Sequence, residues 1–299
     1  MTTLTDRFRG CLLGLAAGDA VGTTVEFRRR GSFQPVTDMV GGGPFNLEPG
    51  QWTDDTSMAL CLATSLIECR GFDAKDQMDR YVRWSDDGYL SSNGECFDIG
   101  GTVSRALARY RRTGQAFAGS TDPQQAGNGC IMRLAPVPMW FYPDLEAMER
   151  YSAESSRTTH GTAECLDACR LLARILYRAL EGQPKEDVLF ADAGFSGAPK
   201  VEAIARGTYR DKSRDVIRGS GYVVDCLEAA LWCVWTTDTF EAAVLEATNL
   251  GDDADTTAAV AGQVAGALYG VEGIPARWRE KVAMRDMIVA LADNLRREQ

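Results

Sequence analysis

Two short stretches carry the residue types most suited to chemistry. Thr53-Asp54-Asp55-Thr56 and Asp252-Asp253-Ala254-Asp255-Thr256-Thr257 lie about two hundred residues apart, and each opens an apolar helical run. On a helix, Asp55 shares a face with Met58, Ala59, Leu62 and Leu66, which puts its carboxylate at the inner end of a core-facing stripe. Burying a carboxylate uncompensated costs on the order of several kcal/mol, and a cation is one compensation. Three acids within four residues repel one another unless positive charge intervenes. Both stretches offer carboxylate and hydroxyl oxygens only, a donor set suited to Mg²⁺, Mn²⁺ or Ca²⁺ rather than zinc. One reading is a two-metal centre assembled from both stretches. The other is a pair of unrelated helices whose first turns favour acids through capping and the helix dipole.

The elements that must position these acids are helical. Apolar periodicity predicts helices near 5–20, 54–69, 74–85, 101–112, 145–156, 161–181, 222–236, 239–249, 254–269 and 281–297. Runs with the period-2 alternation of strands are almost absent. The expected fold class is all-α, a compact orthogonal many-helix bundle, and the expected organisation is one domain over residues 1–299. The helix behind the second acidic stretch is nearly all small, with Ala258, Ala259, Ala261, Gly262, Ala265, Gly266 and Ala267, so it is expected to be central and closely approached by a neighbour. Glycine concentrates in three connections, 41–51, 113–130 and 192–221.

Composition narrows the function classes. The chain has 299 residues, 45% of them hydrophobic and 25% charged, enough for a substantial core and no sign of disorder. Its net charge of −10 argues against a nucleic-acid partner. The basic clusters Arg28-Arg29-Arg30 and Arg109-Tyr110-Arg111-Arg112 read as solvated surface. Nine cysteines without a C-x-x-C, and a single histidine, argue against a structural zinc site and point to reduced thiols in the cytoplasm. The apolar run from Gly10 to Gly18 is too short for a signal sequence. The longest uncharged candidate for a membrane span, Thr256 to Val271, falls short of the roughly 18–20 residues required.

Six motifs, in order, carry a resemblance to a known family. They are Gly14-x-x-x-Gly18-Asp19-Ala20-x-Gly22 followed by Glu26; Thr53-Asp54-Asp55-Thr56; Asp98-Ile99-Gly100-Gly101-Thr102; Gly127-Asn128-Gly129-Cys130-Ile131-Met132-Arg133; Thr159-His160; and Gly251-Asp252-Asp253-Ala254-Asp255-Thr256. Together these resemble the ADP-ribosylglycohydrolases over residues 5 to 270. The departures, Asp252 and Ala254, fall where the family pattern has Gly and Thr rather than a ligand side chain.

The resemblance implies the all-α fold, a binuclear Mg²⁺ or Mn²⁺ site, and an ADP-ribosylated protein as substrate, most often modified on arginine. By carry-over the metal ligands are Thr53, Asp54, Asp55, Asp253, Asp255 and Thr256. Asp55 or Asp255 is the expected general base. Glu26 is expected beside the leaving guanidine or on a metal, with a surface acid as the alternative. Asp98, Gly100 and Thr102 belong to a ribose-side loop. Asn128, Gly129 and Cys130 form a turn whose backbone N–H groups suit the diphosphate. His160 is expected to touch ribose or phosphate. Tyr222 is expected to stack on adenine, or else to fill the core. Asp19 is expected to order the loop that carries Glu26. Two rivals remain at this level, a non-catalytic ADP-ribose sensor and a metal-dependent phosphohydrolase; within the hydrolase reading, serine-linked or other O-linked ADP-ribose is the alternative substrate.

Overall fold

A computed structural model describes residues 2–190 and 194–296, and within them the chain forms fourteen α-helices and no strand. In chain order they are α1 (Leu4–Gly22), α2 (Asp54–Cys69), α3 (Ala74–Asp87), α4 (Gly101–Thr113), α5 (Pro136–Phe141), α6 (Leu145–Arg157), α7 (Ala163–Leu180), α8 (Lys185–Phe190), α9 (Pro199–Ala205), α10 (Val223–Trp235), α11 (Phe240–Thr248), α12 (Ala254–Tyr269), α13 (Ala276–Arg279) and α14 (Arg285–Leu295). The all-α class is as expected. Among the described residues, no helix is long and apolar enough to cross a membrane.

α1 and α12 form the axis of the molecule. Gly10, Gly14, Gly18 and Gly22 recur every fourth residue on α1, so they line one face. That face meets α12 at Gly266, Gly262, Ala258 and Ala254–Asp255, where any Cβ added to α1 would overlap backbone carbonyl or Cα atoms. Backbone-to-backbone contact of this kind explains the small-residue composition of α12, whose residues are buried from Ala254 to Leu268. It also fixes the depth at which the N-terminus of α12, with Asp253 and Asp255, sits against the last turn of α1. Gly18→Val places a branched side chain against the Ala258 carbonyl. The expected cost is about 1–3 kcal/mol, a fall in melting temperature of roughly 5 °C or more. Thermal unfolding followed by circular dichroism checks it, and an unchanged melting temperature contradicts the close approach.

A large apolar cluster surrounds this axis and includes Trp52, Trp278, Leu171, Leu172, Leu231 and Phe240. A smaller one joins α2, α3 and α4 through Met58, Tyr81, Trp84, Val103 and Leu107.

Several sequence expectations need correction. The helix expected over 281–297 starts only at Arg285, because Lys281 to Met284 is pinned to the loop before α2. Ala283 donates its N–H to Gly50 and accepts from the Trp52 indole, and Met284 turns left-handed at φ 55°. α14 ends at Leu295, and the expected last residue, Arg297, lies outside the described residues. The glycine-rich 192–221 connection contains α9, which Pro199 opens from the first helical position rather than breaks; residues 192 and 193 lie outside the described residues. The short helices α5, α8 and α13 hold too few residues for periodicity to reveal.

Candidate active site

The first acidic stretch is built from behind by Asp19. This residue, in the last turn of α1, is fully buried. Its Oδ1 accepts hydrogen bonds from the Thr53 N–H and hydroxyl, both at 2.9 Å. Its Oδ2 accepts from the Thr56 N–H at 3.0 Å and the Thr56 hydroxyl at 2.6 Å. A carboxylate from another helix thus caps α2, and the Thr53 side chain makes no cap of its own. Sequence reasoning assigned Asp19 to the loop of Glu26; its carboxylate instead holds the two threonines that flank Asp54 and Asp55.

The second stretch is tied to the Glu26 loop by a pair of backbone hydrogen bonds. Phe27 N–H donates to the Asp252 carbonyl and Asp252 N–H to the Arg28 carbonyl, both at 2.7 Å. Phe27 and Asp252 each adopt a left-handed conformation, with φ of 61° and 57°. The clasp turns the Asp252 side chain to solvent and leaves Asp253 half-buried and Asp255 buried at the start of α12.

The two stretches meet reciprocally. The Thr53 hydroxyl lies 3.4 Å from Asp255 Oδ2, and the Thr256 hydroxyl lies 3.4 Å from Asp55 Oδ2. One carboxylate oxygen each from Asp54, Asp55 and Asp255 fall within 4.8 Å of one another, and a second such triplet comprises Glu26, Asp98 and Asp255. Asp255 is common to both. Two buried oxygens, Asp55 Oδ1 and Asp255 Oδ1, have no hydrogen-bond partner among the described residues.

This arrangement is electrostatically adverse without positive charge. Burial, and then the neighbouring carboxylates, raise the pKa values of Asp54, Asp55 and Asp255 well above the usual range. Burial pushes Glu26 up to about 10, with Asp98 and Asp253 adding to the rise. Asp98 is pushed to about 7 by burial and Asp19. Asp19 reaches about 6 through burial, and its four hydrogen bonds hold it from rising further.

The acids form one end of a cavity of about 590 Å³. Glu26, Asp54, Asp98, Asp253, Asp255 and Thr256 line it, and so do the sequence-predicted Gly100, Thr102, Asn128, Gly129 and His160. The Asn128 amide donates to Asp253 Oδ2 at 3.0 Å and so links the glycine turn to the second acidic stretch. The α12 side chain of Gln263 supports the same turn, donating to the Ile131 and Met132 carbonyls and accepting from the Ala135 N–H.

Four predicted residues stand off the cavity wall. Thr53 and Asp55 are buried beneath it. Cys130 is buried too, its thiol facing the carbonyls of Gly127 and Cys165. Tyr222 lines a smaller adjoining cavity of about 260 Å³, with its hydroxyl donating to Glu164 at 2.6 Å and accepting from Lys200 at 2.8 Å.

Sequence reasoning missed Phe27 and Phe45, which pack edge-to-face at 6.5 Å and border the cavity beside Glu26. Phe27 is 67% exposed. Its placement depends on the left-handed turn, for which the sequence carries no glycine signal. It also missed the capping role of Asp19, a contact across 34 residues that no local pattern announces.

Comparison with known proteins agrees with the geometry. A family model described as ADP-ribosylglycohydrolase matches residues 1–299. An ADP-ribosylarginine hydrolase Tri1 from Pseudomonas putida (strain GB-1) is 51% identical over 97% of this chain and 78% of its own length. The ADP-ribosyl-dinitrogen reductase glycohydrolase of Rhodospirillum rubrum is 34% identical over 94% of this chain and 91% of its own. A solved structure described as an ADP-ribosylglycohydrolase-related protein complex superposes with a TM-score of 0.85 at 43% identity, covering 98% of both chains. The chain belongs to the ADP-ribosylglycohydrolase family and is, with it, a hydrolytic enzyme.

Proposed function

We propose that this enzyme hydrolyses the N-glycosidic bond between ADP-ribose and an arginine side chain of a modified protein, with two divalent cations, Mg²⁺ or Mn²⁺, held by the acidic end of the cavity. The observation that carries the reading is the meeting of two distant acidic helix starts around orphaned, buried carboxylate oxygens. Such oxygens suit a hard cation, which returns the hydration that burial removed. The ligand set is Thr53, Asp54, Asp55, Asp253, Asp255 and Thr256, and the second triplet adds Glu26 and Asp98 as candidates. When bound, the cations supply positive charge that anchors ribose hydroxyls and acidifies water.

The chain's own residues do the rest. Asp55 or Asp255 accepts the proton of the attacking water as its oxygen bonds to the anomeric carbon through an oxocarbenium-like state. The C–N bond pair leaves with the guanidine, which then takes up a proton. Glu26 stands against that guanidine, and the Phe27–Phe45 pair beside it offers an aromatic wall suited to a planar cation. Asp98, Gly100 and Thr102 border the ribose, and Gly129 offers a backbone N–H to the diphosphate, whereas the Asn128 N–H, expected to do the same, is already donated to the Gly221 carbonyl at 3.0 Å. Tyr222 stacks on adenine in this reading, which its position on the wall of the adjoining cavity supports.

The arginine linkage rests on the similarity to proteins named ADP-ribosylarginine hydrolases, at 51% and 47% identity. Site residues come from positions 26 to 256, which supports a single catalytic domain over 1–299. A cytoplasmic setting is supported by nine free cysteines, and the net charge of −10 speaks against nucleic acid as a partner.

The test is incubation with arginine-linked and serine-linked ADP-ribosyl peptides, with Mn²⁺ or Mg²⁺ and with chelator. Free ADP-ribose from the arginine-linked peptide, abolished by chelator, is the expected result. Faster release from serine overturns the linkage. AMP with ribose phosphate would indicate phosphate chemistry, and binding without release a sensor.

A further inference from the structure

His160 is the only histidine of the chain, and its ring is buried at the glycine-lined side of the cavity. Its Nδ1 lies 2.8 Å from the Thr159 hydroxyl. Its Nε2 has no hydrogen-bond partner among the described residues and faces the glycine turn, 3.3 Å from where a Cβ on Gly127 would sit. A Cβ on Gly129 would come within 2.9 Å of Cε1. The absence of side chains at both positions is what leaves this edge of the ring open.

The hydrogen-bond roles follow from a donor that has no choice. Arg133 is fully buried with its guanidinium over the Tyr81 ring, and its Nη2 donates to Thr159 Oγ1 at 2.6 Å. A guanidinium only donates, so the Thr159 oxygen is an acceptor there. The one remaining hydroxyl proton needs an acceptor, and His160 Nδ1 is the partner within reach. A proton on Nδ1 would instead make the ring a second donor to the same oxygen, whose two lone pairs can take both, and would strand the buried hydroxyl proton without an acceptor.

We propose that Arg133 and Thr159 are positioning residues that fix His160 in the tautomer protonated on Nε2, so that the imidazole presents an N–H to an oxygen of the bound ADP-ribose. The assignment of the acceptor rests on the functional reading above; the relay itself does not. Burial, together with the Arg133 charge, holds the imidazole pKa down at about 4, so the ring stays neutral at neutral pH and acts through its tautomer.

With a single histidine, ¹⁵N-labelled imidazole gives an unambiguous reading. Long-range ¹H–¹⁵N correlation of the ligand-free wild type is expected to show Nε2 protonated and Nδ1 bare. Thr159→Val is expected to lose that pattern and to weaken ADP-ribose binding roughly 3- to 10-fold, the scale of one neutral hydrogen bond. Thr159→Ser, which keeps the hydroxyl, is expected to restore both, and it decides the matter should the valine variant not fold. A wild-type ring protonated on Nδ1 or on both nitrogens at neutral pH overturns the relay, as does a valine variant with tautomer and affinity unchanged. A wild type with the expected tautomer that binds no ADP-ribose overturns the acceptor and the functional reading together.

Discussion

Asp55→Asn and Asp255→Asn are each expected to lower turnover by roughly 10³-fold or more while making the cation-free protein more stable. The activity loss combines a weakened cation site with removal of a candidate base, and general-base catalysis alone contributes on the order of 10²–10⁴. Asparagine keeps the shape and removes the charge, so the loss reports on charge rather than packing. The stability gain follows from the same geometry. Asp55 is fully buried with one oxygen unpartnered, within 4.8 Å of oxygens of Asp54 and Asp255. Removing one like charge relieves repulsion that no cationic side chain among the described residues is shown to offset. A rise of roughly 5 °C in chelator is expected for either variant. Asp252→Asn is the control: its side chain is exposed, its role lies in the backbone clasp, and asparagine tolerates its left-handed φ of 57°. Turnover within about twofold of wild type is expected there. Steady-state assays beside chelated melting curves check all three variants, and full activity in both buried-site variants would falsify the site.

The stability of the cation-free protein is expected to fall as pH rises from about 4 to 8, and added Mn²⁺ to remove most of that fall. The sign follows from proton linkage. Asp19, Asp98 and Glu26 are pushed up to about 6, 7 and 10 in the folded protein, from ordinary values of 3.8, 3.8 and 4.5. Burial is the largest cause in each case. The folded state therefore holds protons that the unfolded chain has already released. Stability from these groups is complete below the unfolded values and is lost as pH climbs through the folded ones, first Asp19, then Asp98. Cations replace the protons as the neutralising charge, so the gap between melting temperatures with Mn²⁺ and with chelator widens from pH 5 to pH 8. A gap that narrows over that range contradicts the electrostatic description.

The sequence made some of this legible and hid the rest for identifiable reasons. The acidic stretches stood out because acids beside an apolar stripe conflict with burial, and that conflict is visible locally. The small residues of α12 announced close packing, and the partner, α1, carries its own four-residue glycine spacing from Gly10 to Gly22. What stayed hidden depends on contacts between distant segments. The capping of α2 by Asp19 crosses 34 residues, and the Arg133–Thr159 contact crosses 26. Phe27 reaches the cavity only through a left-handed turn that its residue type does not favour. The start of the helix expected over 281–297 moved to Arg285 because tertiary hydrogen bonds to Gly50 and Trp52 outweighed helical periodicity. Periodicity reports which face of a helix is buried, but it does not report what the face is buried against.

The most direct test of the central claim is calorimetric titration of Mn²⁺ into chelator-stripped protein, wild type beside Asp255→Asn. Asp255 contributes to both carboxylate triplets, so the single substitution strikes both. Two ions per chain in the wild type, and a loss of affinity at both in the variant, are expected. Saturable binding that is identical in the two proteins, or none in the wild type up to millimolar Mn²⁺, would contradict a cation centre built from the two acidic helix starts.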